Sequence, residues 1–229
     1  MRSKRKGEMS THVPKYSTLS IPHSLRAVGL VTGSIGVLEI VLSTIAYAAI
    51  KPGFDLLATY LSDIGATPVW PQVFFNAGML IVSPLRYVVL VLLVLRLYQL
   101  GAGRTFGTAV LILGVFTTIG TIIMTAVPYT VDVTIHKTGL PLFFFGVVLL
   151  QTVVGVREWQ LKAVPRSLPI LCFVVVAIYL IFFTLEMLYE ADVVSRSTPV
   201  LWEWLCGISL LAWVFAHSLI LGDEGESEK

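Results

Sequence analysis

Six apolar runs, broken by short polar segments, dominate the chain: residues 25–50, 73–95, 106–127, 139–156, 168–188 and 200–221. Each is long enough to cross a hydrocarbon core of about 30 Å as a helix rising about 1.5 Å per residue. The breaks carry turn chemistry: Lys51-Pro52-Gly53, Gly101-Ala102-Gly103, Pro165 and Pro199. Backbone groups in lipid must be satisfied within their own segment, so the pattern predicts helices. Short alternating strands, the mark of a membrane barrel, are not visible.

The expected fold is therefore all-α, a polytopic membrane protein built as a bundle of six transmembrane helices. Residues 1–24 read as a basic cytoplasmic tail, 25–221 as the membrane domain and 222–229 as an acidic cytoplasmic tail. Ala46-Tyr47-Ala48 resembles a signal-peptidase site. The run before it is too long for a leader, and Glu39 interrupts it.

Composition sharpens this reading. The chain has 229 residues, 56% hydrophobic and 13% charged, against about 25% charged in soluble domains. A net charge of +2 gives no reason to expect a nucleic-acid partner. Cys172 and Cys206 both lie in apolar runs and read as small buried hydrophobes, not as a disulfide or a metal site. No cofactor is expected.

Basic residues assign the two faces. With both termini on one side, that side holds 12 of the 16 lysines and arginines. The other side holds Lys51, Lys137 and Arg196, and Arg86 lies within a span. The expectation is a multi-pass plasma-membrane protein with cytoplasmic N- and C-termini.

Most chemically capable groups then fall at the outer face. They lie in YLSDIGATP…FFNAGMLIVSP, in VPYTVDVTIHKTGLPLFFFG and at the end of the fifth span. Ser62 or Asp63 can cap a short helix, with Gly65 as a left-handed turn. Asp63 and His136 are also the candidate catalytic pair, because histidine titrates near neutral pH. Ser62, Asn76, Asp132 and Glu186 are candidate substrate-binding groups. Asp132, four residues before His136, is placed to orient its ring. No second histidine lies nearby and the spacing matches no zinc pattern, so no metal is expected there.

Glu39 and Arg86 fall near mid-membrane, where an ionised side chain must face the bundle and find a partner. Adjacent antiparallel spans make them a natural intramembrane ion pair. Arg86 would lie beneath an anionic group bound at the outer mouth. Thr118, Thr121 and Thr125 form a hydroxyl stripe that either joins helices or lines a cavity. His217, near the inner end of the last span, reads as structural.

The two quoted motifs resemble domain-of-unknown-function family 998, six-helix membrane proteins of archaea and bacteria. The first also resembles the Ser-Asp-x-Gly-x-x-Pro turn of the Frag1/DRAM/Sfk1 membrane proteins, a group linked to lipid organisation. The chain departs from both, with Val-Pro-Tyr where family 998 often has Phe-Pro-Glu. The resemblance implies a fold and a site but no reaction.

Three functions fit. One is binding or modification of a lipid or glycolipid head group, with membrane lipids as partners. The second is a small transporter or channel using Glu39 and Arg86. The third is a scaffold without chemistry. No inverted repeat supports the second. Oligomeric state is not legible in the sequence.

Overall fold

Asp132 illustrates how these helices begin. Its backbone is extended and its carboxylate accepts from the Thr134 and Ile135 amides at 2.8 and 3.0 Å, which satisfies two orphan donors of the first turn. Ser20 does the same for the first helix, accepting from the His23 amide at 3.3 Å, with Pro22 in the first turn. The computed structural model describes residues 20–223. The tails expected at either end fall mostly outside the described residues, and the first helix already starts within the expected basic tail.

Among the described residues there are seven helices and no strand: α1 (Ile21–Ile50), α2 (Leu61–Ala66), α3 (Trp70–Gln99), α4 (Arg104–Ala126), α5 (Val133–Gln160), α6 (Ser167–Glu190) and α7 (Ser197–Ile220). All but α2 are long and apolar enough to span a membrane. The six-span, all-α expectation holds. Most helices run past the expected limits by one to six residues. Polar ends such as Arg157–Gln160 propagate a helix without being apolar.

The long helices close into a ring, α1–α3–α4–α5–α6–α7 and back to α1. Small residues set the tightest seams. On α1, a Cβ at Gly29, Gly33 or Gly36 would strike Ser218, Phe215 or Leu211 of α7. Between α4 and α5, a Cβ at Gly120 would lie 2.6 Å from the Phe143 backbone nitrogen. In lipid, where burial of apolar surface drives little association, such close contact supplies much of the packing energy.

The buried threonine stripe on α4 is Thr117, Thr121 and Thr125, not Thr118. Each hydroxyl donates to a carbonyl three or four residues back. The loops divide by end. The α1–α3 connection with α2, the α4–α5 loop and the α6–α7 loop meet at one end, the α2 end. At the opposite end, Arg96 donates to the Leu221 carbonyl and Arg157 to that of Gly101.

Candidate functional site

Six residues are too few to form a stable helix alone, so α2 exists because its ends are held by the bundle. Glu203 of α7 accepts from the Leu61 amide at 2.6 Å and the Ser62 amide at 3.4 Å. A carboxylate on the first amides of a helix meets both the free donors and the positive end of its dipole. Asp63 reaches back to the Tyr60 amide at 3.1 Å, the return half of a capping box. At the other end, the Asn76 amide donates to the Gly65 carbonyl at 3.1 Å. Gly65 is not the left-handed turn expected. It is helical, and a Cβ there would lie 2.5 Å from Phe75. α2 thus folds flat against the start of α3, as a lid across one end of the ring.

Asp63 is the hub of this end. Arg196, preceding α7, donates to Oδ2 at 2.5 Å and to the Ala58 carbonyl at 3.1 Å, and lies over the Tyr60 ring. Tyr129, in the α4–α5 loop, donates to Oδ1 at 3.1 Å. Burial, and then the adjacent Asp63 charge, push the Tyr129 phenol up to about 12, so it stays a donor at neutral pH. The buried Tyr60 hydroxyl donates toward Glu186 and the Arg196 carbonyl, at 3.2 Å each. Burial and the neighbouring Glu186 raise its pKa as well.

Asp63 and His136 are joined through Tyr129, whose ring meets the imidazole edge-on at 6.0 Å. Asp132 does not orient that ring, because its carboxylate is spent on the α5 N-terminus. His136 Nδ1 instead lies 3.1 and 3.0 Å from the Met124 and Val127 carbonyls. Carbonyls only accept, so Nδ1 carries the proton and Nε2 is left for other contacts.

Two cavities meet at this point. The first, about 170 Å³, lies inside the ring and is lined by Glu39, Asn76, Arg86, His136, Tyr179 and Glu203 among apolar walls. The second, about 680 Å³, lies between α5 and α6. Phe144, Phe145, Phe182 and Phe183 wall it, and Asp63, Lys137, Glu186, Glu190, Arg196 and Glu203 stand around it. Ser62, Tyr129, His136, Leu140, Phe144 and Glu203 line both.

Glu39 and Arg86 share the inner cavity but form no direct ion pair among the described residues. The guanidinium donates to Thr121 Oγ1 at 2.9 Å and lies 5.5 Å from the Phe143 ring centre. Glu39 packs over Gly78, where a Cβ would fall 2.4 Å from its Cγ.

Sequence reasoning missed Glu203, Tyr60, Tyr129 and Arg196. Glu203 left one signal, an acid inside an apolar span, of the kind that singled out Glu39. Arg196 and Tyr129 look like ordinary interfacial residues until α2 is placed.

Residues 34–220 match the model of a family described as protein of unknown function (DUF998), and the chain belongs to that family. Comparisons with curated proteins and with solved structures each return no match.

Proposed function

Taking that membership as a premise for the membrane fold alone, we propose that the protein binds the polar head of a membrane lipid or glycolipid in the α5–α6 cavity. One observation carries this reading. A cavity of about 680 Å³ has phenylalanine walls and a charged rim, the two chemistries an amphiphile presents in sequence. Phe145 and Phe183 are also exposed on the outside of the bundle, so an acyl chain can enter sideways from lipid.

The rim selects the head. Asp63, Glu186, Glu190 and Glu203 face only Lys137 and Arg196 as fixed cations. This favours hydroxyls or an ammonium over a phosphate monoester. Arg86 does not reverse the balance, since Glu39 shares its cavity. His136 Nε2 would accept from a head-group hydroxyl at the junction. Asp63, held by three partners, fastens the lid and leaves substrate contact to its neighbours. The rim would face away from the cytoplasm in the plasma membrane. A second reading, passage of a small polar solute, draws on Glu39 facing the inner cavity without a bonded partner.

Leu140→Trp tests the proposal by filling the junction without removing a polar contact. The protein is released from nanodiscs of mixed glycolipid, phosphatidylcholine and phosphatidic acid and weighed by native mass spectrometry. Wild type should retain glycolipid or phosphatidylcholine, and the variant should retain about tenfold less at an unchanged melting temperature. Equal retention by both proteins, or preference for phosphatidic acid, would overturn it. Solute uptake into liposomes, lost in Glu39→Gln, would establish the second reading instead.

A further inference from the structure

At the end of the ring away from α2, three side chains separated in sequence converge. Glu158 lies near the end of α5, Cys172 near the start of α6 and His217 near the end of α7. None has exposed surface. His217 Nε2 lies 3.0 and 3.3 Å from the two Glu158 oxygens. Cys172 Sγ lies 3.6 Å from Glu158 Oε2 and 4.0 Å from His217 Nε2.

These spacings can be compared with a coordination sphere. Tetrahedral zinc, with Zn–S near 2.3 Å and Zn–N or Zn–O near 2.0–2.1 Å, needs N···O edges of about 3.3 Å and S···N or S···O edges of about 3.5 Å. The observed edges agree to within about 0.5 Å.

Trp213, one helical turn before His217, supplies an outer layer. Its carbonyl lies 2.9 Å from His217 Nδ1. That atom carries a proton, so Nε2 meets Glu158 either with a second ring proton or with its lone pair. A ring N–H on a backbone carbonyl is the usual support of a metal-binding histidine. The Trp213 indole N–H donates to Cys172 Sγ at 3.2 Å. A lone pair facing a carboxylate requires a positive charge between them, either a proton or a metal ion.

We propose that Glu158, Cys172 and His217 bind a zinc ion that joins α5, α6 and α7, with a water as fourth ligand. A thiolate and a carboxylate neutralise a divalent ion, which suits a site with no exposed surface. Mixed nitrogen, sulfur and oxygen donors fit zinc. Magnesium and calcium demand oxygen alone. The site stands apart from the α5–α6 cavity, and neither proposal depends on the other.

The test is metal analysis of the full chain, purified in detergent without chelator. Wild type should carry about one zinc per chain. Cys172→Ser, Glu158→Gln and His217→Gln should each lose most of it, while Cys206→Ser, at the other buried cysteine, should keep it. Protein from zinc-poor, cobalt-supplemented cells keeps the test decisive if a variant misfolds. Wild type should then show the visible bands of tetrahedral cobalt and a near-ultraviolet thiolate-to-cobalt band. Wild type without zinc and without the cobalt spectrum would overturn the site. So would a spectrum lacking the thiolate band, or zinc retained by a folded Cys172→Ser/His217→Gln double variant.

Discussion

Arg196 holds Asp63 across 133 residues of sequence, its guanidinium 2.5 Å from Oδ2. The two sides of the bond are unequal. Arg196 is about half exposed, and Asp63 is mostly covered and also holds Tyr129 and the Tyr60 amide.

Asp63→Ala should therefore cost more than Arg196→Ala. Removing a covered carboxylate strands several donors, at about 2–3 kcal/mol. Losing a half-exposed guanidinium costs about 1 kcal/mol after solvent screening. In the Asp63→Ala background, Arg196→Ala should cost less than about 0.5 kcal/mol, because its main partner is gone. Unfolding of the four proteins in one detergent measures the cycle. Additive costs would show that the pair does not act as a unit.

Glu203 makes a sharper claim, since it anchors α2 through two backbone amides. Glu203→Ala should speed hydrogen exchange at Leu61 and Ser62 by about tenfold, the kinetic equivalent of roughly 1.4 kcal/mol. Glu203→Gln should lie between, keeping one acceptor oxygen but losing the charge at the helix start. Unchanged exchange at both amides would mean that α2 is held elsewhere.

The long helices were legible because an apolar run of bilayer length leaves the backbone one solution. Their ends were not, because Val133–Thr138 and Arg157–Gln160 continue a helix for reasons of capping and propensity that hydropathy does not register. A short helix beside Ser62 and Asp63 was legible, but its extent was not, since tertiary bonds hold its six residues. At the site, Asp63, Asn76 and His136 were readable as neighbours from the turns they flank. Their partners were not. Glu203 meets Leu61 across 142 residues, and Tyr129 meets Asp63 across 66. Adjacency of spans placed Glu39 near Arg86, but rotation of the helices about their axes decided the bond, and it turned Arg86 to Thr121. The same rotation gathers Glu158, Cys172 and His217, whose spacing follows no local motif.

The α4–α5 seam gives a packing prediction. A Cβ on Gly120 meets the Phe143 nitrogen, the Gly139 oxygen and the Leu142 carbonyl carbon, all backbone atoms. Backbone cannot rotate aside, so Gly120→Ala should cost at least about 2–3 kcal/mol and lower the yield of folded protein. Gly114→Ala faces Leu90 and Tyr87 side chains instead and should cost about 1 kcal/mol, within reach of rotamer adjustment. Melting in detergent ranks them. The reverse order would mean that α4 and α5 sit further apart than described.

The last prediction concerns which end faces the cytoplasm. The ring brings the loops into two groups, and the described basic residues divide unequally between them. Lys51, Lys137 and Arg196 lie at the α2 end, and Arg26, Arg96, Arg104, Arg157, Lys162 and Arg166 at the other. Cationic loops near span ends resist translocation, so the α2 end should be outside. Asp55 and Asp192 lie in connections at the α2 end, and Ala102 and Ala163 in connections at the other. Single cysteines at these positions report the two faces. Both native cysteines are buried and need not be removed. A membrane-impermeant thiol reagent on intact cells should label Asp55→Cys and Asp192→Cys. Ala102→Cys and Ala163→Cys should react only after the membrane is opened. Labelling of the second pair in intact cells would invert the topology, and the charged rim of the α5–α6 cavity would then face the cytoplasm.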